Sequence, residues 1–243
     1  MESHISIAAE KIGHIGAFPI TNSLIFSWIV VGVLSIFAYL AGRKTTTIPQ
    51  GLQGFIELIL EPVYNITHDL AHSKAKVIFP FVATFFIYIM VANLFGLFPG
   101  IGTIGIWDDH HVLVPLFRPV NTDLNMTLGL SIISVIITHF LAVKYLGIFG
   151  YLKKWFSLNP IFLFVGLLEL VSEGTKMLSL SLRLFGNIFA GEVVLVTVSG
   201  LLAFVAPLPF YFLEIIVAVV QAAVFAMLTL VFMVLLTEKH EAH

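Results

Sequence analysis

The run Leu178-Ser179-Leu180-Ser181-Leu182-Arg183-Leu184-Phe185-Gly186-Asn187 sets one arginine in the middle of a long apolar segment. Between Phe162 and Leu213 its charged company is Glu169, Glu173, Lys176 and Glu192. In a bilayer, an ionised group at mid-depth costs about 2.5 to 3.5 kcal/mol on insertion scales, so it marks a functional site by default. Arginine cannot escape that cost by losing its proton. A carboxylate, a carbonyl or water must compensate the charge.

The surrounding composition makes the bilayer the right solvent. The chain has 243 residues, of which 59% are hydrophobic and 11% charged, and a mean hydropathy of +1.04; soluble domains carry about 25% charged residues. It reads as an integral membrane protein. No basic patch supports nucleic-acid binding, and the lack of cysteine excludes disulfides and thiolate metal sites. Glu2 and Glu10, with Lys11 alone for positive charge, argue against a cleaved leader ahead of the first apolar run. That run is expected to stay as a span.

At about 20 residues per crossing, residues 24–42 form span one, closed by Arg43 and Lys44. Over 48–76 the apolar positions Leu52, Phe55, Ile56, Ile59, Leu60, Val63 and Ile66 recur at helical spacing among Glu57, Glu61, His68 and Asp69. This predicts an amphipathic helix on the membrane surface, broken or bent near Pro62. Residues 78–98 form span two, 99–123 an outer loop rich in Gly and Pro, and 124–143 span three. Residues 161–205 are too many for one upright crossing, because 45 residues at 1.5 Å extend about 67 Å against a core of about 30 Å. We expect one long tilted helix there, a turn at Pro207-Leu208-Pro209, and a second long tilted helix over 208–236. The expected fold class is therefore an all-α integral membrane protein, one membrane domain over 1–243 with about five crossing helices and one surface helix. No repeat of 20 to 50 residues divides it.

Lysine and arginine are retained on the cytoplasmic side of a bacterial inner membrane. With five crossings, Arg43, Lys44, Lys74, Lys76, Lys144, Lys153, Lys154 and Lys239 fall on one side, against Lys11 and Arg118 on the other. The N-terminus is expected outside and the C-terminus in the cytoplasm.

The buried polar residues form a pattern. At 100° per residue Lys176, Arg183 and Asn187 lie within about 60° of one another, with Glu169 about 40° from Arg183. Glu192 points roughly the opposite way unless Gly186 or Gly191 bends the helix. Glu214 and Gln221 are seven apart and share a face of the last helix; if the two long helices are antiparallel, Gln221 meets Arg183 and Glu214 lies nearer Glu192. Desolvated carboxyl groups take and release protons near neutral pH, and a fixed cation between two of them repels a hopping proton. Single Ser, Asn and Gln residues also serve as plain contacts between helices, a reading that suits Ser179, Ser181 or Asn187 alone better than the whole set.

Ser-Leu-Arg-Leu-Phe-Gly-Asn at 181–187, Ala-Gly-Glu at 190–192, and Leu213-Glu214 followed by Gln221-Ala222 closely resemble subunit a of the F-type ATP synthase. The resemblance extends to Pro49 and Glu57, to Ala92-Asn93-Leu94 with Leu97-Phe98-Pro99, and to residues 122–128, Thr-Asp-Leu-Asn-Met-Thr-Leu. It implies a stator channel beside a rotating c-ring, with the c-ring, peripheral-stalk subunit b and lipid as partners, no cofactor, and no bond chemistry on ATP. By position, it implies that Arg183 faces the c-ring carboxylate and separates two offset half-channels, with Gln221 packed near it. Asn187, Glu192 and Glu214 match the outer half-channel, with Asn93, Asp123 and Asn125 at its entrance region. Glu169 matches the inner exit, and Lys176 and Ser179 lie on the same stretch. Some relatives carry histidine at the position of Glu192 or Glu214, where this chain has glutamate.

Two other uses of these residues compete. A secondary transporter would employ a midplane arginine to bind an anionic substrate, and a structural scaffold would leave the charged stripe unexplained. His68 and His72 have the spacing of a helical zinc pair but no third ligand, so a polar helix face is the expectation. Asp108-Asp109-His110-His111 reads as a solvated loop, and His139 as a packing residue.

Overall fold

The computed structural model describes residues 9–16, 18–43, 46–47, 49–98, 100–101, 104–107, 113–156, 160–201 and 205–238. It is a helical bundle with two small hairpins at one end. Strands β1 (Lys11–Ile15) and β2 (Phe18–Thr21) pair antiparallel, and Thr21 then caps α1 (Asn22–Gly42) by accepting the N–H of Leu24. Helix α2 (Leu52–Ala71) is followed by a 3₁₀ turn, His72–Lys74, and by α3 (Ala75–Gly96). The loop after α3 holds β3 (Gly105–Trp107) paired with β4 (Leu113–Pro115). Three long helices complete the chain: α4 (Leu124–Trp155), α5 (Pro160–Leu201) and α6 (Pro207–Thr237).

Five helical stretches are long and apolar enough to cross a membrane, α2 and α3 counting as one stretch from Leu52 to Gly96. The contacts fix their alternation. Asn22 at the start of α1 donates to the carbonyl of Pro115, and Ser23 donates to Asp123 at the start of α4, so these termini share the hairpin end. At the opposite end the Lys74 ammonium, at the start of α3, donates to the carbonyl of Thr237 at 2.8 Å. Arg43, Lys74, Lys76, Lys144 and Lys153 belong to this second end, the lysine end, whereas Lys11 and Arg118 belong to the first.

Helix α5, with 42 residues, extends about 63 Å at 1.5 Å per residue, twice the hydrocarbon thickness. It has to lie steeply inclined or project from the bilayer. It contains no residue of positive φ, so neither Gly186 nor Gly191 interrupts it by that route. The core lies where α3, α5 and α6 meet: Phe85 and Ile89 pack against Leu180, Leu184 and Ile188 and against Ala222 and Phe225. Small hydroxyl residues supply the polar links between helices, as expected where no hydrophobic drive pulls helices together in lipid. Ser134 pairs with Thr229 at 2.9 Å, Thr127 with Ser181 at 3.1 Å and Ser27 with Tyr88 at 2.8 Å.

Three expectations shift. Helix α2 runs unbroken through Pro62, and its end comes at His72, whose φ of 45° is left-handed; His68 and His72 therefore do not share one helix. Span three does not stop at 143, because the chain turns at Gly147 (φ 74°, ψ 160°) and continues as helix to Trp155. Only glycine takes that backbone readily. The turned segment packs back, its Tyr151 hydroxyl 2.9 Å from Nδ1 of His139 and its Trp155 buried with Ala142 and Leu236, which makes His139 a packing residue. The hairpin β1–β2 forms a strand pair ahead of span one, where the sequence reading placed no element. Asp108, Asp109, His110 and His111 lie outside the described residues.

Candidate functional site

The ionisable residues fall into two separate clefts. The first is a cavity of about 300 Å³ at the hairpin end, walled by the loop before α4, by α3, α5 and α6, and by the residues preceding β1. Its polar lining includes Glu10, Asn93, Arg118, Thr122, Glu192 and Glu214. Arg118 is buried; its Nε donates to Thr122 Oγ1 at 3.2 Å and its Nη2 to the Thr122 carbonyl at 3.1 Å. Asn93 donates to the carbonyl of Ala218 at 3.3 Å and accepts from the Asn121 amide at 2.6 Å. One carboxyl oxygen each of Glu10 and Glu192, Oε2, is enclosed without a hydrogen-bond partner among the described residues.

Glu214 reaches this cavity because α5 carries glycine at 191. A Cβ on Gly191 would overlap all three atoms of the Glu214 carboxyl group, so only glycine lets that group seat against α5. Glu192 and Glu214, one on each long helix, thus line the same cavity.

The second cleft is a groove lined by Ser172, Thr175, Lys176, Ser179, Leu180, Arg183, Leu228 and Phe232. Arg183 is exposed on α5 and has no ion-pair or hydrogen-bond partner among the described residues. Ser179 and Asn187 are exposed on the same helix. Lys176 is held: its ammonium lies 2.7 Å from the buried Glu173 carboxylate and 5.2 Å from the centre of the Phe232 ring, a cation–π distance. Between the two clefts stand Leu184 and Ile188, packed on Ala222 and Phe225. Gln221 is half-buried beside Ala222 and is not among the residues that line either cleft.

Not every expected residue joins a cleft. Asp123 is buried as the N-cap of α4, accepting from Asn125 N at 3.0 Å and from Ser23 Oγ at 2.6 Å, and neither it nor the exposed Asn125 is among the residues lining the cavity. Glu169 is half-buried on α5, away from the groove. Glu10, Arg118 and Glu173 were not singled out from the sequence as site residues. Glu173 had a signal, its i,i+3 spacing to Lys176; Glu10 had none, because its position depends on how the hairpin folds over the bundle.

Five membrane-length helices carrying charged groups in two clefts, one of them centred on an unpaired arginine, define a multi-pass membrane protein. The profile of the ATP synthase A chain family matches residues 24–234, and the chain belongs to that family. It is 32% identical over 215 residues to ATP synthase subunit a 3 of Pelobacter propionicus (87% of this chain, 85% of the relative). It is 32% identical over 222 residues to ATP synthase subunit a of Moorella thermoacetica (91% and 93%). To ATP synthase subunit a of Geobacter sulfurreducens it is 30% identical over 215 residues (87% and 85%).

Proposed function

We propose that this chain is the stator subunit of a rotary F-type ATP synthase in a bacterial inner membrane, with its N-terminus outside and its C-terminus in the cytoplasm. The observation that carries the reading is the exposed Arg183 with no partner of its own on a membrane-length helix. A cation left uncompensated at that depth is costly, and a carboxylate on another subunit removes the cost. The cavity lined by Glu192 and Glu214 serves as the outer half-channel, and the groove lined by Lys176 and Ser179 as the inner one. The packed wall of Leu184, Ile188, Ala222 and Phe225 separates them.

Protons arriving from outside pass through the cavity and neutralise a carboxylate on the c-ring. The neutral site then turns through lipid, where a charged one would be expensive to bury. On reaching the groove it releases its proton towards the lysine end, and Arg183 holds the resulting carboxylate until the next proton arrives. This chain forms and breaks no bonds of ATP; it meets the c-ring through the exposed face of α5 and peripheral-stalk subunit b elsewhere.

Arg183→Ala tests the reading. The variant should assemble into the complex while ATP-driven proton pumping into membrane vesicles is abolished. Normal coupled pumping would overturn the role of Arg183, and recovery of the native chain free of a ring of small helical subunits would overturn the stator assignment.

A further inference from the structure

The N-terminal hairpin delivers a carboxyl group to the cavity. Glu10 immediately precedes β1, and its backbone carbonyl accepts the N–H of Asn22 at 3.1 Å. Asn22 in turn donates through its side chain to the carbonyl of Pro115 at 3.2 Å. Two elements distant in sequence thus pin the base of the hairpin against the start of α1 and the loop that carries Arg118. The Glu10 side chain lines the cavity, and its Oε2 is enclosed with no hydrogen-bond partner among the described residues.

An enclosed carboxyl oxygen without a donor is costly unless water or a proton reaches it. A cavity of about 300 Å³ with carboxyl, guanidinium, amide and hydroxyl groups in its wall has room for several waters, each occupying about 30 Å³ of liquid volume. Among the described residues the charged lining consists of three carboxyl groups, on Glu10, Glu192 and Glu214, and the guanidinium of Arg118; Tyr211 is the remaining titratable group there.

We propose that Glu10 is a proton-carrying group of the outer cavity, so that the N-terminal hairpin is part of the ion path. This rests on the reading of the cavity as the outer half-channel. A hydronium at the mouth gives its proton to the Glu10 carboxylate, leaving water. Neutral Glu10 then passes the proton, through water in the cavity, to Glu192 or Glu214, and is restored as carboxylate.

The chain has no cysteine, which permits a test by chemical replacement in the intact complex. In vesicles stripped of the catalytic head, Glu10→Cys should lower proton conduction per assembled complex by roughly tenfold, short of the 10²–10⁴ of a positioned acid or base because cavity water offers a parallel route. Coupling of a carboxyethyl thiosulfonate to Cys should restore conduction, as should the variant Glu10→Asp. A sulfonate reagent, which carries the charge but cannot hold a proton, should not. Equal rescue by sulfonate and carboxylate would overturn the proposal in favour of a purely electrostatic role. So would unchanged conduction in Glu10→Cys, a loss that Glu10→Asp fails to rescue, or a Cys side chain that does not react. Glu192→Gln, measured alongside, separates the two levels: if it conducts normally the reading of the cavity fails, and if it alone is slow only the role of Glu10 fails.

Discussion

Replacing Gly191 by alanine should separate stability from conduction. In a helix interior alanine is better than glycine by about 1 kcal/mol, and the three atoms an added Cβ meets first all belong to the carboxyl end of Glu214. That end is free to swing on its side chain, so the backbones of α5 and α6 have no reason to part. Thermal unfolding of the complex should therefore be unchanged or slightly higher. The Glu214 carboxyl must leave its seat beside Gly191, and a displacement of about 1 Å is enough to cost up to 10²-fold where geometry governs a transfer. Passive proton conduction in stripped vesicles, read with a pH-sensitive dye, should fall at least about tenfold, equivalent to about 1.4 kcal/mol. Gly174→Ala provides the comparison. It sits nine residues before Arg183, about 180° away on the helix, and an added Cβ meets nothing within 4 Å, so it should gain the same stability and conduct normally. Normal conduction by Gly191→Ala would refute the assignment of the Glu214 seat to the path. Marked destabilisation would refute the claim that the side chain absorbs the conflict.

Asp123→Ala removes an N-cap, at about 1 kcal/mol, and takes from the buried Ser23 hydroxyl its carboxylate acceptor, at about 1 to 3 kcal/mol, leaving it the Thr21 hydroxyl at 3.1 Å. The complex should lose about 2 to 4 kcal/mol by denaturation, and Ser23→Ala should recover part of that in the double variant; additive losses would show that the two do not interact. Glu173→Gln leaves the half-buried Lys176 without its carboxylate, which costs about 1.5 to 3 kcal/mol for a charged hydrogen bond and puts a second unpaired cation in the Arg183 groove. ATP-driven pumping should slow, and Glu173→Gln with Lys176→Gln should be faster than Glu173→Gln alone. Equal rates would sink the pairing argument.

The long helices were readable because each apolar run is long enough to demand a membrane, and the ends expected for the last two, 161–205 and 208–236, lie close to those of α5 and α6. Membership of the ATP synthase A chain family was likewise legible in the segment around Arg183. What the chain did not disclose is mostly non-local. The turn at Gly147 lies between Leu146 and Ile148, so apolar character continues through it, and Lys144 looks like a terminus. Asp123 resembles a channel group until Ser23, a hundred residues away in sequence, is seen to occupy it. The hairpin at 11–21 lacks the strict alternation that marks a strand, which hid the approach of Glu10. Angular spacing sets Glu192 roughly opposite Arg183 on an ideal helix, and the two line different clefts.

The amide of Asn93 has consequences for how the protein is made. Its acceptor is the carbonyl of Ala218, 125 residues further along the chain, and α3 packs chiefly on α6, which leaves the ribosome long after it. At about 5 to 20 residues per second, α3 waits roughly 6 to 25 seconds for that partner. Over this interval the amide donor and the apolar face of α3 that α6 will cover face lipid or a helper in the insertion machinery. The bundle is thus closed by α6, and a ribosome that stalls before α6 leaves a membrane intermediate whose middle is unsealed.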